Sequence, residues 1–373
     1  MRSGTEYVET VIIGGGQAGL SAGYHLAQRG RRFVILDAGG RIGDNWRCHW
    51  DSLRLYSPAR YSGLPGMPFP APPWSYPTKQ QMAEYLAAYA ARFELPVRTG
   101  VRVEELSRDG DRYLVSYRGH TIEADNVVVA SGTFGRTPYL PEFAVELDPG
   151  IVQLHSCEYR NPSQLRPGAV LVVGGSHSGS DIAYEVAASH QTVLCGRDTG
   201  QIPFRIDSPI ARAVFPLLWF AWTRVLTTST PMGRKMRPEV REHGGPLLRV
   251  KRADLAAAGV ERVTARVSGV RDGKPLLDDG RVLEPTNVIW CTGFRQEFDW
   301  IKLPVTGPDG WPLEERGVVA SAPGLYFSGL SFQHSFSSML VGGAGRDAEY
   351  VVDHLTSRTP SGRQPYLRER PAA

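Results

Sequence analysis

Cysteine is scarce in this chain, and its spacing argues against two kinds of chemistry. The four cysteines among 373 residues form no Cys-x-x-Cys pair, which a redox-active dithiol would need. They do not cluster with the nine histidines at metal-ligand spacing either, so we expect no metal. We interpret all four as small buried apolar residues: Cys48, Cys157, Cys195 and Cys291.

Long apolar runs and a strong charge of one sign are also missing. The apolar decad 213–222 is interrupted by Pro216, whereas a membrane helix needs about 20 apolar residues. The net charge is only +4 and the cations are scattered, so nucleic acid is not an expected partner. No signal peptide precedes an apolar strand that begins within ten residues of Met1, and we therefore expect a cytoplasmic protein.

Glycine, in contrast, is arranged in two similar turns 160 positions apart. Each turn follows an apolar run and precedes a segment with helical apolar spacing. Glycine lets the backbone approach a pyrophosphate, whose charge is stabilised by amide N–H groups and the helix dipole. The pattern predicts two bound dinucleotides, one on Gly14, Gly16, Gln17, Ala18 and Gly19, and one on Gly174, Ser176, His177, Ser178 and Gly179.

The residue that follows the second strand of each unit distinguishes the two nucleotides. Asp37 follows Gly14 by 23 positions, and Arg197 follows Gly174 by the same 23. A carboxylate suits a ribose hydroxyl and a guanidinium suits a phosphate at that place, so we predict FAD first and NADPH second. Asp198 beside Arg197 leaves open the alternative that Arg197 is a solvated charge and that NADH serves equally.

A later strand repeats in the same register. Residues 126–132 begin 112 positions after Gly14, and residues 287–293 begin 113 positions after Gly174. An apolar strand that closes with small residues can return beside a bound nucleotide without crowding it. We therefore predict contacts to FAD from Ser131, Gly132 and Gly293, and to NADPH from Thr292.

Four further segments carry a resemblance to a known family: residues 43–47 (GDNWR), 51–55 (DSLRL), 64–70 (LPGMPFP) and 76–81 (YPTKQQ). With the two turns, they resemble the flavin-containing monooxygenases, especially bacterial single-component members and the plant YUCCA-like branch. The resemblance implies an α/β fold of two Rossmann-like domains, each with a parallel sheet and a small β-meander. It predicts an FAD domain from residues 1–150 and 288–355, an inserted NADPH domain from 151–287, and a flexible tail from 356–373.

The resemblance also implies further cofactor contacts. Trp46 and Arg47 would lie along FAD, with Arg47 near a phosphate or held in a structural ion pair. Val103 belongs to the segment 101–103, which resembles the strand whose backbone contacts adenine. Gly329 and Leu340 would contact FAD before a closing helix whose dipole favours negative charge on reduced flavin.

Two residues are candidates for a catalytic role. His155 and Tyr159 match the second half of the family's linker motif, although 148–150 departs from the first half. His155 is either catalytic or a satisfied linker histidine that only orients the chain. Tyr56 stands where many relatives have an asparagine near the flavin.

Residues 203–245 form an apolar insertion in the second domain. We interpret it as a core or pocket-wall helix, with a lid, a second subunit or a membrane surface as alternative roles. Six flanking cations make an anionic substrate such as an oxo acid an option: Arg205, Arg212, Arg224, Arg234, Lys235 and Arg237.

The predicted activity is an FAD- and NADPH-dependent monooxygenase that uses molecular oxygen and a flavin C4a-hydroperoxide. Its small-molecule substrate would be oxidised at nitrogen, sulfur or a carbonyl carbon. One alternative is an NADPH oxidase or reductase that passes electrons to a quinone or to oxygen. Another, from a different class, is a non-catalytic flavoprotein that senses redox state.

Overall fold

The computed structural model describes residues 6–132 and 137–358, which form an α/β fold. The strands in this part of the chain are β1 (Glu6–Ile13), β2 (Phe33–Leu36), β3 (Val97–Arg98), β4 (Glu105–Asp109), β5 (Arg112–Tyr117), β6 (His120–Val129), β7 (Thr137–Pro138), β8 (Val152–His155), β9 (Val170–Val173), β10 (Thr192–Cys195), β11 (Glu261–Val263), β12 (Val267–Arg271), β13 (Lys274–Leu277), β14 (Asn287–Trp290), β15 (Phe294–Arg295) and β16 (Leu325–Phe327). The helices are α1 (Gln17–Gln28), α2 (Asp44–Arg47), α3 (Lys79–Arg92), α4 (His177–Val186), α5 (Pro209–Phe220), α6 (Pro231–Glu242), α7 (Arg252–Ala257) and α8 (Val341–Ser357).

The first sheet has the order β3-β2-β1-β6-β5-β4, and β16 pairs with β6 as well. Strands β3, β2, β1, β6 and β16 are parallel, whereas β4, β5 and β6 form an antiparallel meander. Apolar side chains alternate to both faces of β1, and both faces are covered. Ile12 packs with residues of α1, α3 and α8, while Val11 and Ile13 pack with Phe298 and Ile301 on the opposite face.

The second sheet is parallel throughout, with the order β11-β10-β9-β14-β8. Its central strands β9 and β14 are buried along their whole length because both faces are covered, whereas the edge strands β8 and β11 are partly exposed. The hairpin β12-β13 is a two-stranded antiparallel unit beside this sheet. The predicted fold class, with two parallel sheets of Rossmann type, is confirmed.

Two chain crossings connect the sheets. Strand β7 pairs with β15 in antiparallel register, and the N–H of Tyr139 donates to the carbonyl oxygen of Gly293 at 3.0 Å. The two connections are therefore hydrogen-bonded to one another. This pairing places the ends of β6 and β14, which precede the crossings, on the same side of the molecule.

The apolar insertion consists of α5, a π-helix at Ala221–Val225, and α6. Pro216 lies inside α5 and cannot donate a backbone hydrogen bond, and the π turn follows it by five residues. In the part of the chain that the structure describes, no helix is long and apolar enough to cross a bilayer. The predicted tail begins inside α8, which continues to Ser357, and residues 359–373 lie outside the described residues.

Candidate functional site

The first glycine turn joins β1 to α1. Gly14 has a φ of 113°, which favours glycine, and its N–H donates to the carbonyl oxygen of Leu36 at 2.7 Å. A Cβ on Gly14 would collide with the carbonyl oxygen of Ala130, and a Cβ on Gly19 would collide with the carbonyl oxygen of Gly14. Contacts within the chain therefore require glycine at both positions.

The N-terminus of α1 has the geometry of an anion site. The helix begins at Gln17, and N–H groups in its first turn lack partners within the helix. Gly16 is open, since a Cβ there would meet only the side-chain amide of Asn45, at 3.5 Å. Gly329, with a φ of 87°, lies against Ala18, so the turn after β16 borders the same opening.

Asp37 lies directly after β2, beside the first turn. Its carboxylate accepts hydrogen bonds from the N–H of Gly15 at 2.6 Å and of Gly39 at 2.8 Å. The carbonyl oxygen of Asp37 accepts from Val101 at 2.8 Å, which brings the segment of the buried Val103 to the same place. The strand predicted for 101–103 is wrong, because Gly100, with a φ of 70°, turns the chain away from β3.

The residues around this turn fit a flavin dinucleotide. The Trp46 indole N–H and the Ser328 hydroxyl are buried and have no hydrogen-bond partner within the described residues. A Cβ on Gly293 would have nothing within 4 Å, so there is open space beside the end of β14. Ser131 and Gly132, after β6, are partly exposed. A bound nucleotide can satisfy such polar atoms and fill such a space.

Arg47 is held by its own segment. Its guanidinium donates to the carbonyl oxygen of Ile42 at 2.8 Å and pairs with Asp44 at 3.0 Å. These contacts match the structural ion pair that was one of the two options for this residue. Cys48 caps the same short helix and is exposed, and Cys157 and Cys291 are partly exposed, so the prediction that all four cysteines are buried holds only for Cys195. In the described ranges, no group of three or more potential ligands could hold a metal ion.

The second glycine turn, between β9 and α4, repeats the first. Gly174 has a φ of 118°, and its N–H donates to the carbonyl oxygen of Cys195 at 2.8 Å. A Cβ on Gly174 would collide with the carbonyl oxygen of Cys291, and a Cβ on Gly179 would collide with that of Gly174. The chain returns beside this turn after β14 in the same way as it returns after β6.

Two predicted nucleotide contacts in this turn, and a third after β14, also have partners in the chain. The Ser176 hydroxyl donates to the carbonyl oxygen of Gly245 at 2.8 Å, and Nε2 of His177 lies 2.7 Å from the carbonyl oxygen of Pro246. The segment 244–246 therefore covers one side of the turn. Ser178 lies in the first turn of α4, and the Thr292 hydroxyl donates to the carbonyl oxygen of Tyr139.

The surroundings of Arg197 bear on the choice of nucleotide. The carboxylate of Asp198 pairs with Arg252 at 2.5 Å, and the Arg197 guanidinium has no ion pair within the described residues. Arg262, which we did not single out from the sequence, donates to the carbonyl oxygen of Arg197 at 3.0 Å and lies behind Gly175. Burial lowers the pKa of the Arg262 guanidinium. Three cations, Arg197, Arg252 and Arg262, therefore surround a single acid, Asp198, in the segment that follows β10.

Tyr56 links the segment between α2 and α3 to α4, the helix that follows the second glycine turn. Its hydroxyl donates to Oδ2 of Asp181 in α4 at 2.9 Å, and its ring lies 5.0 Å from that of His177. Asp181 is 2% exposed and also pairs with Arg249 at 3.0 Å. Burial raises the pKa of Tyr56 well above its usual range, and the Asp181 charge acts in the same direction. Tyr56 is thus a protonated hydroxyl that is directed at α4, and Asp181 and Arg249 were not identified from the sequence.

Opposing interactions act on the pKa of the Asp181 carboxyl. Burial raises the pKa of its carboxyl, while Arg249 and the Tyr56 hydroxyl oppose that shift. Arg249 also donates to the carbonyl oxygen of Ser52 at 3.1 Å, so it contacts both sides of the boundary between the sheets. Close by, the hydroxyl groups of Ser52 and Tyr159 both donate to Glu185 of α4.

His155 is 1% exposed and has partners for both ring nitrogens. Nδ1 accepts from the N–H of Cys157 at 3.2 Å, so Nε2 carries the proton and donates to the carbonyl oxygen of Gly293 at 3.0 Å. Burial lowers the pKa of the imidazole. The geometry therefore favours the linker interpretation, because His155 fixes the end of β8 to Gly293, which follows β14.

The insertion packs on the loop that precedes α8. The carbonyl oxygens of Leu226 and His334 accept from Phe336 at 3.0 Å and from Thr228 at 2.7 Å. Arg346 of α8 donates to the Thr223 carbonyl oxygen at 2.9 Å, inside the π-helix. Leu340 is the N-cap of α8 and has an extended backbone.

The inner face of α5 adds an aromatic wall to this loop. Phe215 and Trp219 lie with ring centroids 4.8 and 5.0 Å from Tyr61, and Trp222 lies 5.2 Å from Phe336. A pocket-wall helix was the main interpretation of this segment. The aromatic residues border α8 because Gly342 allows Trp219 to approach closely.

Comparisons with known proteins identify the family. The profile of the pyridine nucleotide-disulphide oxidoreductases matches residues 11–209. The structure of a flavin-containing monooxygenase from Stenotrophomonas maltophilia is similar with a TM-score of 0.73 and 30% identity, over 95% of this chain and 99% of that one. The chain belongs to the flavin-containing monooxygenase family. It is therefore an enzyme, a flavin-dependent oxidoreductase, and the predicted resemblance is confirmed.

Curated relatives agree with this membership. An uncharacterized CzcO-like oxidoreductase from Geobacillus kaustophilus is 35% identical over 93% of this chain and 98% of its own length. A probable indole-3-pyruvate monooxygenase, YUCCA7 from Arabidopsis thaliana, is 28% identical over 86% of this chain and 84% of its own length. The predicted cofactors, FAD and a nicotinamide dinucleotide, agree with this family.

Proposed function

We propose that the protein is an FAD- and NADPH-dependent monooxygenase that transfers one atom of molecular oxygen to a small-molecule substrate. The substrate would be oxidised at nitrogen, sulfur or a carbonyl carbon. The observation that carries the proposal is the pair of matched glycine turns, Gly14 with Ala130 and Gly174 with Cys291. Each has the geometry that suits a dinucleotide pyrophosphate, and two adjacent nucleotides suit electron transfer between them.

In this proposal the first turn holds FAD. N–H groups at Gly16, Gln17 and Ala18 would bind the pyrophosphate, and the Asp37 carboxylate would accept a hydrogen bond from a ribose hydroxyl. Both oxygens of the Asp37 carboxylate already accept one N–H, and each has a further lone pair. Gly293 and Gly329 would leave room for the rest of the cofactor.

The second turn would hold NADPH, with Arg197 next to the phosphate on the adenosine ribose. Arg252 supports this choice, because its pairing with Asp198 at 2.5 Å reduces the repulsion that the carboxylate would exert on that phosphate. Arg262 stiffens the same corner by binding the carbonyl oxygens of Gly196 and Arg197. A guanidinium that contacts only carbonyl oxygens keeps its positive charge available to an anion.

Bound FAD would supply the hydride acceptance and oxygen activation that no side chain provides. The chain's own contribution is to orient the nucleotides and exclude water. The hydroxyl of Tyr56 fixes α4 through Asp181, and Phe215 and Trp219 cover the loop before α8 with apolar surface. Exclusion of water limits the wasteful release of hydrogen peroxide.

Rapid mixing tests the proposal. The holoprotein is reduced anaerobically with NADPH and mixed with oxygen, while the flavin spectrum is followed with and without NADP⁺. For a monooxygenase, we expect a transient species whose absorbance spectrum differs from those of oxidised and reduced flavin. Substrate should shorten the lifetime of this species. Direct reoxidation with stoichiometric hydrogen peroxide for every substrate would contradict it.

A second candidate is an NADPH oxidase or reductase that passes electrons to a quinone or to oxygen. One observation favours it: the Tyr56 hydroxyl donates a hydrogen bond to Asp181 and is not directed at an open space. If oxygenation needs a hydrogen-bond donor from this position to the flavin, Tyr56 does not supply it in this arrangement. Rapid reduction by NADPH followed by quinone reduction without oxygenated product would support this candidate.

A further inference from the structure

Helix α5 is apolar on both faces, although only one face is covered. Ala211 and Phe215 are buried, and Trp222 beyond them packs inward. On the opposite face, Ile210, Leu217 and Phe220 are 62%, 68% and 57% exposed. These three recur at the spacing of one helical stripe, with Ala213 between them also exposed.

Exposed apolar side chains are concentrated in this part of the molecule. Eleven large apolar side chains are exposed in the described residues, and five of them fall within the 23 positions from 210 to 232. Isolated exposed apolar residues are ordinary on a soluble protein, whereas a contiguous group indicates an interaction surface. We define the α5–α6 surface by these five residues: Ile210, Leu217, Phe220, Val225 and Met232.

The segment that carries the surface has charges of a single sign, and the exposed acids Asp207 and Glu239 lie just outside its two ends. Residues 208–238 contain five Lys or Arg and no Asp or Glu. Arg237 is used internally, since it pairs with the buried Glu314 at 2.5 Å and holds α6 to the body of the protein. The other four cations are exposed and form no ion pair within the described residues: Arg212, Arg224, Arg234 and Lys235.

This charge distinguishes among partners. In a symmetric contact between two copies, the same cations would face one another and repel, with no acid in the segment to compensate. A nucleic acid would match the charge but would leave the apolar stripe without a partner. An anionic bilayer matches both features, because acyl chains receive the apolar side chains and headgroups attract the cations.

We propose that the α5–α6 surface binds the protein to the surface of an anionic lipid bilayer. Helix α5 would lie in the plane of the interface, with Leu217 and Phe220 inserted among the acyl chains. Its inner face would remain packed on Tyr61 and on the loop before α8. The proposal does not depend on which reaction the flavin site performs.

Vesicle flotation with the full-length holoprotein tests this proposal. One set of vesicles contains phosphatidylcholine alone, and the other contains phosphatidylcholine with phosphatidylglycerol. We expect binding to the anionic vesicles that falls with added salt, and little binding to the neutral ones. The variant Leu217→Gln/Phe220→Gln should bind at least about tenfold more weakly, since it removes two inserted apolar side chains. Arg224→Gln/Lys235→Gln should also bind about tenfold more weakly.

Val145→Gln is the matched control, because Val145 is 89% exposed but lies outside the surface. It should bind as the unchanged protein does, and equal flavin content and melting temperature confirm that each variant folds. Absence of binding to anionic vesicles would overturn the proposal. So would equal binding by all variants, or a dimer in sedimentation velocity that Leu217→Gln/Phe220→Gln dissociates.

Discussion

Tyr56 and Asp181 are 125 positions apart in the sequence, and their side chains are joined by a 2.9 Å hydrogen bond. Tyr56 lies between α2 and α3, and Asp181 lies in α4, the helix that begins at the second glycine turn. The bond therefore fixes the segment between α2 and α3 to the helix of the second candidate nucleotide site. Arg249 completes it by pairing with Asp181 at 3.0 Å.

Tyr56→Phe should destabilise the protein by about 1–2 kcal/mol, because the buried Asp181 carboxylate loses a donor. We also expect the Michaelis constant for NADPH to rise more than kcat falls, since the hydroxyl positions α4. Chemical unfolding and steady-state kinetics measure the two effects. Tyr184→Phe is the control on the same helix, because Tyr184 is exposed. Equal stability of the two variants would contradict the role of the bond.

Arg197→Ala should raise the Michaelis constant for NADPH on the order of tenfold while leaving that for NADH almost unchanged. Arg252→Ala should act in the same direction but less strongly, since it leaves the Asp198 carboxylate without its 2.5 Å partner. Kinetics with both nucleotides measure these changes. Equal effects of Arg197→Ala on NADPH and NADH would remove the phosphate assignment.

Gly14→Ala should abolish stable FAD binding, since the new Cβ would collide with the carbonyl oxygen of Ala130. Gly280→Ala is the matched control: Gly280 also has a positive φ, 89°, but a Cβ there would have nothing within 4 Å. Flavin absorbance per protein after gel filtration measures retention. Equal retention of FAD by the two variants would show that the close approach of Gly14 to Ala130 is not required for flavin binding.

Acid should destabilise the protein through His49. Burial lowers the pKa of His49 to about 4, and the charges of Lys79 and Arg160 act in the same direction. Its ordinary pKa of 6.5 applies in the unfolded chain, so the stability it contributes is present above pH 6.5 and is lost as the pH falls through about 4.

Between pH 6.5 and pH 5, the loss of unfolding free energy caused by His49 amounts to roughly 2 kcal/mol at most. Urea unfolding at the two pH values should therefore show that His49→Gln loses less unfolding free energy on acidification than the unchanged protein does. His120→Gln, at an exposed histidine, should behave as the unchanged protein does. Parallel losses in all three proteins would show that His49 does not carry the effect.

The fold and the two glycine turns could be predicted because they depend on local pattern. Gly14 and Gly174 each follow an apolar strand, and the strands β6 and β14 end in small residues at matching distances along the chain. The structure gives the reason for the match: the carbonyl oxygens of Ala130 and Cys291 occupy the space that a side chain would need.

The other residues of the candidate site could not be predicted, because they are brought together by contacts between distant residues that no local pattern encodes. Asp181 looks like an ordinary residue of an amphipathic helix, and Arg249 follows a short apolar run. Arg262 is one of many scattered arginines, and only the parallel pairing of β10 with β11 brings it behind Gly175. The exposure of Cys48 likewise depends on how the short helix α2 lies on the surface.

The central claim is that a nicotinamide held at the second turn reaches a flavin held at the first. The most direct measurement is anaerobic stopped-flow reduction of the FAD-loaded protein by NADPH carrying deuterium on one or the other face of C4. The account predicts rapid reduction with a primary isotope effect for one face only. It also predicts that Gly174→Ala weakens NADPH binding while flavin content stays unchanged. A flavin that NADPH does not reduce, or a reduction rate indifferent to deuterium on both faces, would contradict it.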